Sequence, residues 1–216
     1  MDTVNPENIS LIFALKEEAK YFRPLPHLKV HFSGIGKNNA EKCIKQILAN
    51  DKPEIVFTCG FAGGLNTALK FNTIVYSAPD KLKPILNSYG GVEVKFYCSD
   101  RLIYSASEKL KLQQTTNADA VEMESGIIYD ICSKQNISCA IIRIISDTAN
   151  EDLPMNFDEI TAENGKIIYS KLFLKLLKHP RLISQLIQFQ NKIDLSAKNL
   201  GEFLNRFLSE ITKTSQ

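Results

Sequence analysis

Tryptophan is absent from the 216 residues, and histidine occurs three times. His27 and His31 follow Pro26 and enter a β-rich run, Lys29–Ser33, so they share no helix face, and His179 sits before Pro180 as a helix-end residue. The five cysteines, Cys43, Cys59, Cys98, Cys132 and Cys139, form no Cys-x-x-Cys pair. That excludes the usual zinc-ribbon and thioredoxin-like spacings and leaves small buried side chains as the default. No apolar stretch approaches the roughly 18 residues of a membrane span; Ile9–Leu15 stops at Lys16, and Cys139–Ile145 contains Arg143. Lys and Arg number 26 against 24 Asp and Glu, a net charge of +2, too small to argue for nucleic acid by itself. The opening residues, Met1 to Glu7, are acidic where a secretory signal would be basic. These absences lead us to expect a soluble, cytoplasmic chain without metal or nucleic-acid partners.

What is present is an alternation of strand-like and helix-like segments. Ile9–Leu15, Lys29–Ser33, Glu54–Cys59, Thr73–Ser77, Val92–Cys98, Ala118–Met123 and Ser138–Ile145 read as strands. Lys16–Phe22, Asn39–Leu48, Ser107–Thr115 and Ser125–Lys134 read as helices, with Cys43, Ile44, Ile47 and Leu48 on one face of the second. The pattern predicts an α/β fold, a single-domain mixed β-sheet flanked by helices. No repeat or linker divides it. From Lys166 onward the chain changes character, with nine Lys/Arg against three Asp/Glu. Two helices are legible there by their apolar stripes: Leu182, Ile183, Leu186, Ile187, Phe189 and Ile193 on one, then Leu200, Phe203, Leu204, Phe207, Leu208 and Ile211 on another. We therefore divide the chain into an α/β part, residues 1–165, and an amphipathic helical extension of the same domain, residues 166–216.

Ligands of α/β folds gather at the carboxyl ends of strands. Here those ends carry Lys16-Glu17-Glu18, Ser33-Gly34-Ile35-Gly36-Lys37, Gly60-Phe61-Ala62-Gly63-Gly64, Val121-Glu122-Met123-Glu124-Ser125 and Arg143 through Ala149. Each has an ordinary explanation. Glycine pairs serve tight turns, a Glu pair complements a helix dipole, and Asp147 could be an N-cap. No Walker lysine follows Gly64 and the glycines do not complete a dinucleotide fingerprint. Arg143 inside an apolar strand and Glu124 after a Val/Met strand are harder to dismiss, because buried charges need partners.

Taken together, five blocks in this order resemble the purine nucleoside phosphorylase and nucleosidase superfamily, and within it the small adenine nucleosidases. They are Ala14-Leu15-Lys16-Glu17-Glu18, Ser33-Gly34-Ile35-Gly36-Lys37-Asn38-Asn39-Ala40, Gly60-x-Ala62-Gly63-Gly64, Val121-Glu122-Met123-Glu124 and Arg143-x-x-Ser146-Asp147-x-Ala149. The resemblance implies cleavage of the N-glycosidic bond of a purine, and specifically an adenine, nucleoside, with no metal or organic cofactor. Water or phosphate could be the nucleophile. Asp147 matches the general acid acting at purine N7, beside Ser146. Glu18 matches the residue that polarises the attacking water, and Arg143 would counter charge near it. Glu124, with Glu122 beside it, matches the grip on the ribose hydroxyls, and Met123 the residue packed under the sugar. Gly63 and Gly64 would let backbone approach the sugar or nucleophile, and Leu102 and Ile103 would offer backbone atoms and an apolar wall to the base.

There are departures too. Phe61 stands where the small adenine nucleosidases carry serine, the stretch Asp80–Val94 is shorter than theirs, and the chain continues past their terminal helix. That combination is most similar to the hopanoid-associated branch, which implies a lipid-linked nucleoside substrate. The basic apolar tail would then be either a peripheral membrane element or a homodimer seam. The alternative to an enzyme is a nucleoside-binding module on the same fold, which the retained Asp147 and Glu124 count against.

Overall fold

The apolar runs become the centre of one eight-stranded mixed sheet in a computed structural model that describes residues 5–156, 176, 179 and 181–212. β1 (Ile9–Phe13), β3 (Ile55–Gly64) and β8 (Ser138–Asp147) lie side by side and parallel. β2 (Lys29–Phe32) pairs with β1 on one side, while β4 (Ile74–Ser77) runs antiparallel to β8 and carries β5 (Val92–Glu93) on the other. β7 (Ala120–Glu122) pairs with the last two residues of β3, and β6 (Phe96–Cys98) with β7.

The three central strands are apolar on both faces because both are covered. α1 (Lys37–Asn50) and α4 (Ser125–Lys134) cover one face, where Ile44, Ile47, Ile128 and Cys132 pack on Ile12, Val56 and Cys139. The other face, with Leu11, Phe13, Phe57 and Ile142, is covered by the final helix, α5 (Arg181–Thr212). The remaining helices, α2 (Lys83–Ser88) and α3 (Ala106–Thr116), are peripheral connections.

The tail departs from expectation. One continuous helix of 32 residues replaces the two anticipated, and its second stripe is neither a membrane face nor a subunit seam. Leu200, Phe203, Leu204, Phe207, Leu208 and Ile211 are core residues of this chain. Phe207 meets Phe57 edge-on at 5.6 Å. Burial of each such side chain contributes about 1.5–3 kcal/mol, and they share the cover of this sheet face with Phe22, Leu82 and Leu86. Only the first half of α5 keeps exposed apolar residues, among them Ile183 and Ile187, and no described helix is long and apolar enough to cross a membrane. The boundary drawn at residues 165 and 166 lies outside the described residues, as does the beginning of the tail.

Three further corrections bear on the site. Residues 16–21 form successive turns instead of a helix, with Ala19 N–H bonded to Lys16 O and Phe22 N–H to Ala19 O. The glycines after Cys59 are not a turn; they prolong β3 as far as Gly64. The run Val92–Cys98 is split into two strands that join different partners, β4 and β7.

Candidate active site

The extended β3 runs beside β8 in register, Gly60 opposite Arg143, until the register shifts between Ala62 and Gly63. Ser146 is the extra residue on β8, and the bulge re-aims Asp147 so that it stands opposite Gly63. Everything chemical collects along this edge.

Glu18 comes to it from the turns after β1. Its carboxylate is buried and accepts hydrogen bonds from Leu15 N (2.9 Å) and Phe61 N (3.0 Å). Gly60 makes room: a Cβ there would fall 2.3 Å from Glu18 Oε1. α5 braces the same turns from behind. A Cβ at Gly201 would lie 2.7 Å from the Tyr21 carbonyl carbon, Tyr21 Oη donates to Asp194 at 2.8 Å, and Arg23 N donates to Asn205 at 2.9 Å. Glu18 is therefore held by the fold on two sides, which disposes of its reading as helix-end charge.

Arg143 is 2% exposed and is surrounded by carboxylates. It does not bond Glu18; its Nη2 donates to Glu122 Oε2 and Thr58 Oγ1, both at 2.9 Å. Glu122 also accepts from the Glu124 and Ser125 amides and the Ser125 hydroxyl. It thereby caps α4 and anchors the arginine, and both its oxygens are engaged by the protein instead of a sugar. Burial alone would raise the Glu122 pKa, but Arg143 and the Ser125 and Glu124 donors outweigh it and hold it below the usual range. Glu18 and Glu124 are not so compensated, since one guanidinium serves three buried carboxylates. Burial pushes the Glu18 carboxyl up, against Arg143 and its backbone donors. Burial likewise takes Glu124 to about 7, opposed by Arg143 and the Gly36 amide, which donates to Glu124 Oε1 at 2.7 Å. Glu124 is thus poised for proton exchange near neutral pH, and the Glu18 carboxyl is shifted in the same direction.

Asp147 is buried as expected, but it has a partner that the sequence reading missed. Lys109 of α3 is 0% exposed, and its ammonium lies 2.5 Å from Asp147 Oδ2 while donating to Thr148 O and Glu151 O. Ser146 Oγ donates to Asp147 Oδ1 at 2.8 Å, so this hydroxyl, assigned to the substrate from sequence, serves Asp147. The signal for Lys109 was available. It lies three residues before Leu112 and four after the capping Ser105, on the inward face of an otherwise polar helix.

Gly63 sits under Asp147 Oδ2, and a Cβ there would be 3.1 Å away. Gly64 is buried beside it, and Met123, half-buried, lies between Glu122 and Glu124. Ile103 packs with Leu65 and Val121. Leu102 precedes it, and the segment is tied to the loop after Asp147 by Leu153 N to Tyr104 O (2.7 Å) and Ala106 N to Asp152 Oδ1 (2.7 Å). A cleft of about 360 Å³ opens on the other side of that loop, between Asp147 and the first half of α5, with Gln185, Gln188 and Phe189 in its wall.

Strand-end carboxylates gathered on one edge of a mixed sheet around a buried arginine form a cluster of titratable groups of the kind that moves protons at a small molecule. The Phosphorylase superfamily model matches residues 91–177. A 5′-methylthioadenosine/S-adenosylhomocysteine nucleosidase of Staphylococcus aureus is 28% identical over 161 residues, 58% of this chain and 71% of that one. A futalosine hydrolase of Helicobacter pylori superposes with a TM-score of 0.69 at 18% identity, covering 94% of this chain and 97% of its own. A methylthioadenosine/adenosylhomocysteine nucleosidase of the same organism, solved with an inhibitor, gives 0.69 at 19% identity, with 94% and 97% coverage. These two share the fold. Residues 91–177 of this chain thus resemble the Phosphorylase superfamily, and the fold as a whole is that of the two solved hydrolases.

Proposed function

We propose that this chain hydrolyses the N-glycosidic bond of a purine nucleoside carrying adenine, releasing the free base. The observation that carries the reading is the placing of two buried carboxyls along one strand, Glu18 over Gly60 and Asp147 over Gly63. At about 3.3 Å per strand residue the two glycines are roughly 10 Å apart. The reaction needs such a pair, a base for the water and an acid for the purine imidazole, each at hydrogen-bond reach of about 3 Å.

In this reading Glu18 takes a proton from water as it attacks C1′, the C1′–N9 electron pair goes to the purine, and Asp147 delivers a proton to N7. Glu124 faces the sugar hydroxyls and Met123 lies beneath them. Leu102 and Ile103 line the base, and Gly63 and Gly64 allow close approach. Glu122 and Ser146 belong to the support: one holds Arg143, the other Asp147.

Water is favoured over phosphate because the arginines that a phosphate clamp would need are committed elsewhere. Arg143 is enclosed by Glu122 and neighbouring carboxylates, Arg101 pairs with Glu108 at 2.6 Å, and Lys37 is exposed at the start of α1. The test is incubation with adenosine, methylthioadenosine and inosine, with and without phosphate, and identification of the sugar. Free ribose or methylthioribose at a rate independent of phosphate is expected. Ribose 1-phosphate would overturn the assignment of water, and no base release from any of the three would overturn the reading itself.

A further inference from the structure

We propose that Lys109 is the positioning residue of the acid at N7, so that the proton for the departing purine is held by a Lys109–Asp147 pair and not by Asp147 alone. The inference rests on the nucleosidase reading above.

The geometry behind it is specific. A lysine with no solvent exposure is uncommon because its ammonium must find acceptors inside the protein. Here all three donors are used: Thr148 O at 2.9 Å, Glu151 O at 2.8 Å and Asp147 Oδ2 at 2.5 Å. Two of the acceptors are backbone carbonyls of the loop that follows β8, so the ammonium is fixed to the loop and the carboxylate at once. Asp147 Oδ1 receives the Ser146 hydroxyl. Both oxygens thus accept, and a carboxylate in that state has no proton of its own to give to N7. The ammonium beside it has one.

Among the described residues, the charged groups around the pair leave Lys109 as the cation that contacts Asp147. Glu151 sends its Oε2 to Thr148 and its Oε1 to Lys192 of α5. Asp152 accepts from Ala106 N, and Glu108, next to Lys109 on α3, pairs with Arg101. β3 presents Gly63, which is uncharged, to Asp147. As the C1′–N9 bond breaks, its electron pair passes to the base. One proton leaves the ammonium for the Asp147 carboxylate and goes on from the resulting carboxyl to N7. The amine left at Lys109 regains a proton from water by the same route after the base departs.

The test compares two leaving groups. A 4-nitrophenyl riboside leaves as a stable phenolate and needs no acid; a purine nucleoside needs one. In Lys109→Met and Lys109→Gln, kcat on methylthioadenosine should fall about 100-fold or more with KM within threefold, while cleavage of the 4-nitrophenyl riboside falls less than fivefold. The residual purine cleavage should climb as pH drops from 8 to 5, because the proton must now come from solvent. Equal losses on both substrates mean that Lys109 is only structural, and unchanged purine cleavage means that Asp147 acts alone; either result overturns the proposal. Should both variants fail to fold, a solvent-deuterium proton inventory on the unaltered protein decides. A curved dependence for the purine nucleoside with a straight one for the nitrophenyl riboside supports the pair, and straight lines for both refute it. A wild type that cleaves 4-nitrophenyl riboside but no purine nucleoside brings down the nucleosidase reading as well, whereas an active wild type matched by its Lys109 variants overturns this inference alone.

Discussion

Replacing Gly60 with alanine adds a single methyl group, and the structure says where it goes: 2.3 Å from Glu18 Oε1. Ordinary contact between such atoms needs about 3.5 Å, so the carboxylate must retreat by roughly 1 Å. It cannot do so and keep the Phe61 N bond at 3.0 Å, because that amide follows residue 60 directly. A displacement of about 1 Å in a catalytic group costs on the order of 10²-fold in rate. Losing one hydrogen bond to a charged group costs about 1.5–3 kcal/mol of stability. Gly60→Ala should therefore lose about two orders of magnitude in kcat for methylthioadenosine hydrolysis, keep its KM within a few-fold, and unfold at lower urea concentration. Steady-state kinetics with base release followed by chromatography, beside urea denaturation, measures all three. If Gly60→Ala hydrolyses within threefold of wild type, the position of Glu18 does not matter and it is not the base.

Asp147→Asn should lower turnover by about 10²–10⁴ while an inhibitor still binds with near-native affinity; calorimetry separates the two, and intact turnover removes Asp147 from its role. The raised Glu124 pKa, about 7, has a fixed sign. The folded state holds this proton more tightly than the unfolded one, so its contribution is full below about pH 4.5 and is lost as pH rises through 7. Glu124→Gln should flatten the fall of thermal stability between about pH 5 and 7, leaving the variant more stable than wild type at pH 8 by up to roughly 3 kcal/mol. An unchanged slope would show that Glu124 does not titrate there. Phe207→Ala should cost about 3–5 kcal/mol in urea denaturation, since Phe207 is fully buried against Phe57. A loss below 1 kcal/mol would mean that α5 is not core.

The alternation of strands and helices was legible because period-2 and period-3.6 burial follow directly from local chain geometry. α1, α4, β4 and β8 fall within two residues of where the apolar pattern puts them. The carboxylates and Arg143 were legible for another reason: charge at the end of an apolar strand has no cheap structural explanation. What hydropathy could not say was which surface each apolar stripe would meet. The stripe from Leu200 to Ile211 is equally suited to lipid, a second subunit or this sheet, and only the uncovered faces of Phe57 and Leu11 decide among them. Partners of charges were hidden for a similar reason. Arg143 to Glu122 and Lys109 to Asp147 join residues on separate elements, and their pairing depends on the register of β3 with β8 and on how α3 packs. Sequence by itself determined which side chains cannot be left in water or in oil unpaired; the tertiary structure chose their partners, because distance in a desolvated interior decides which charge neutralises which.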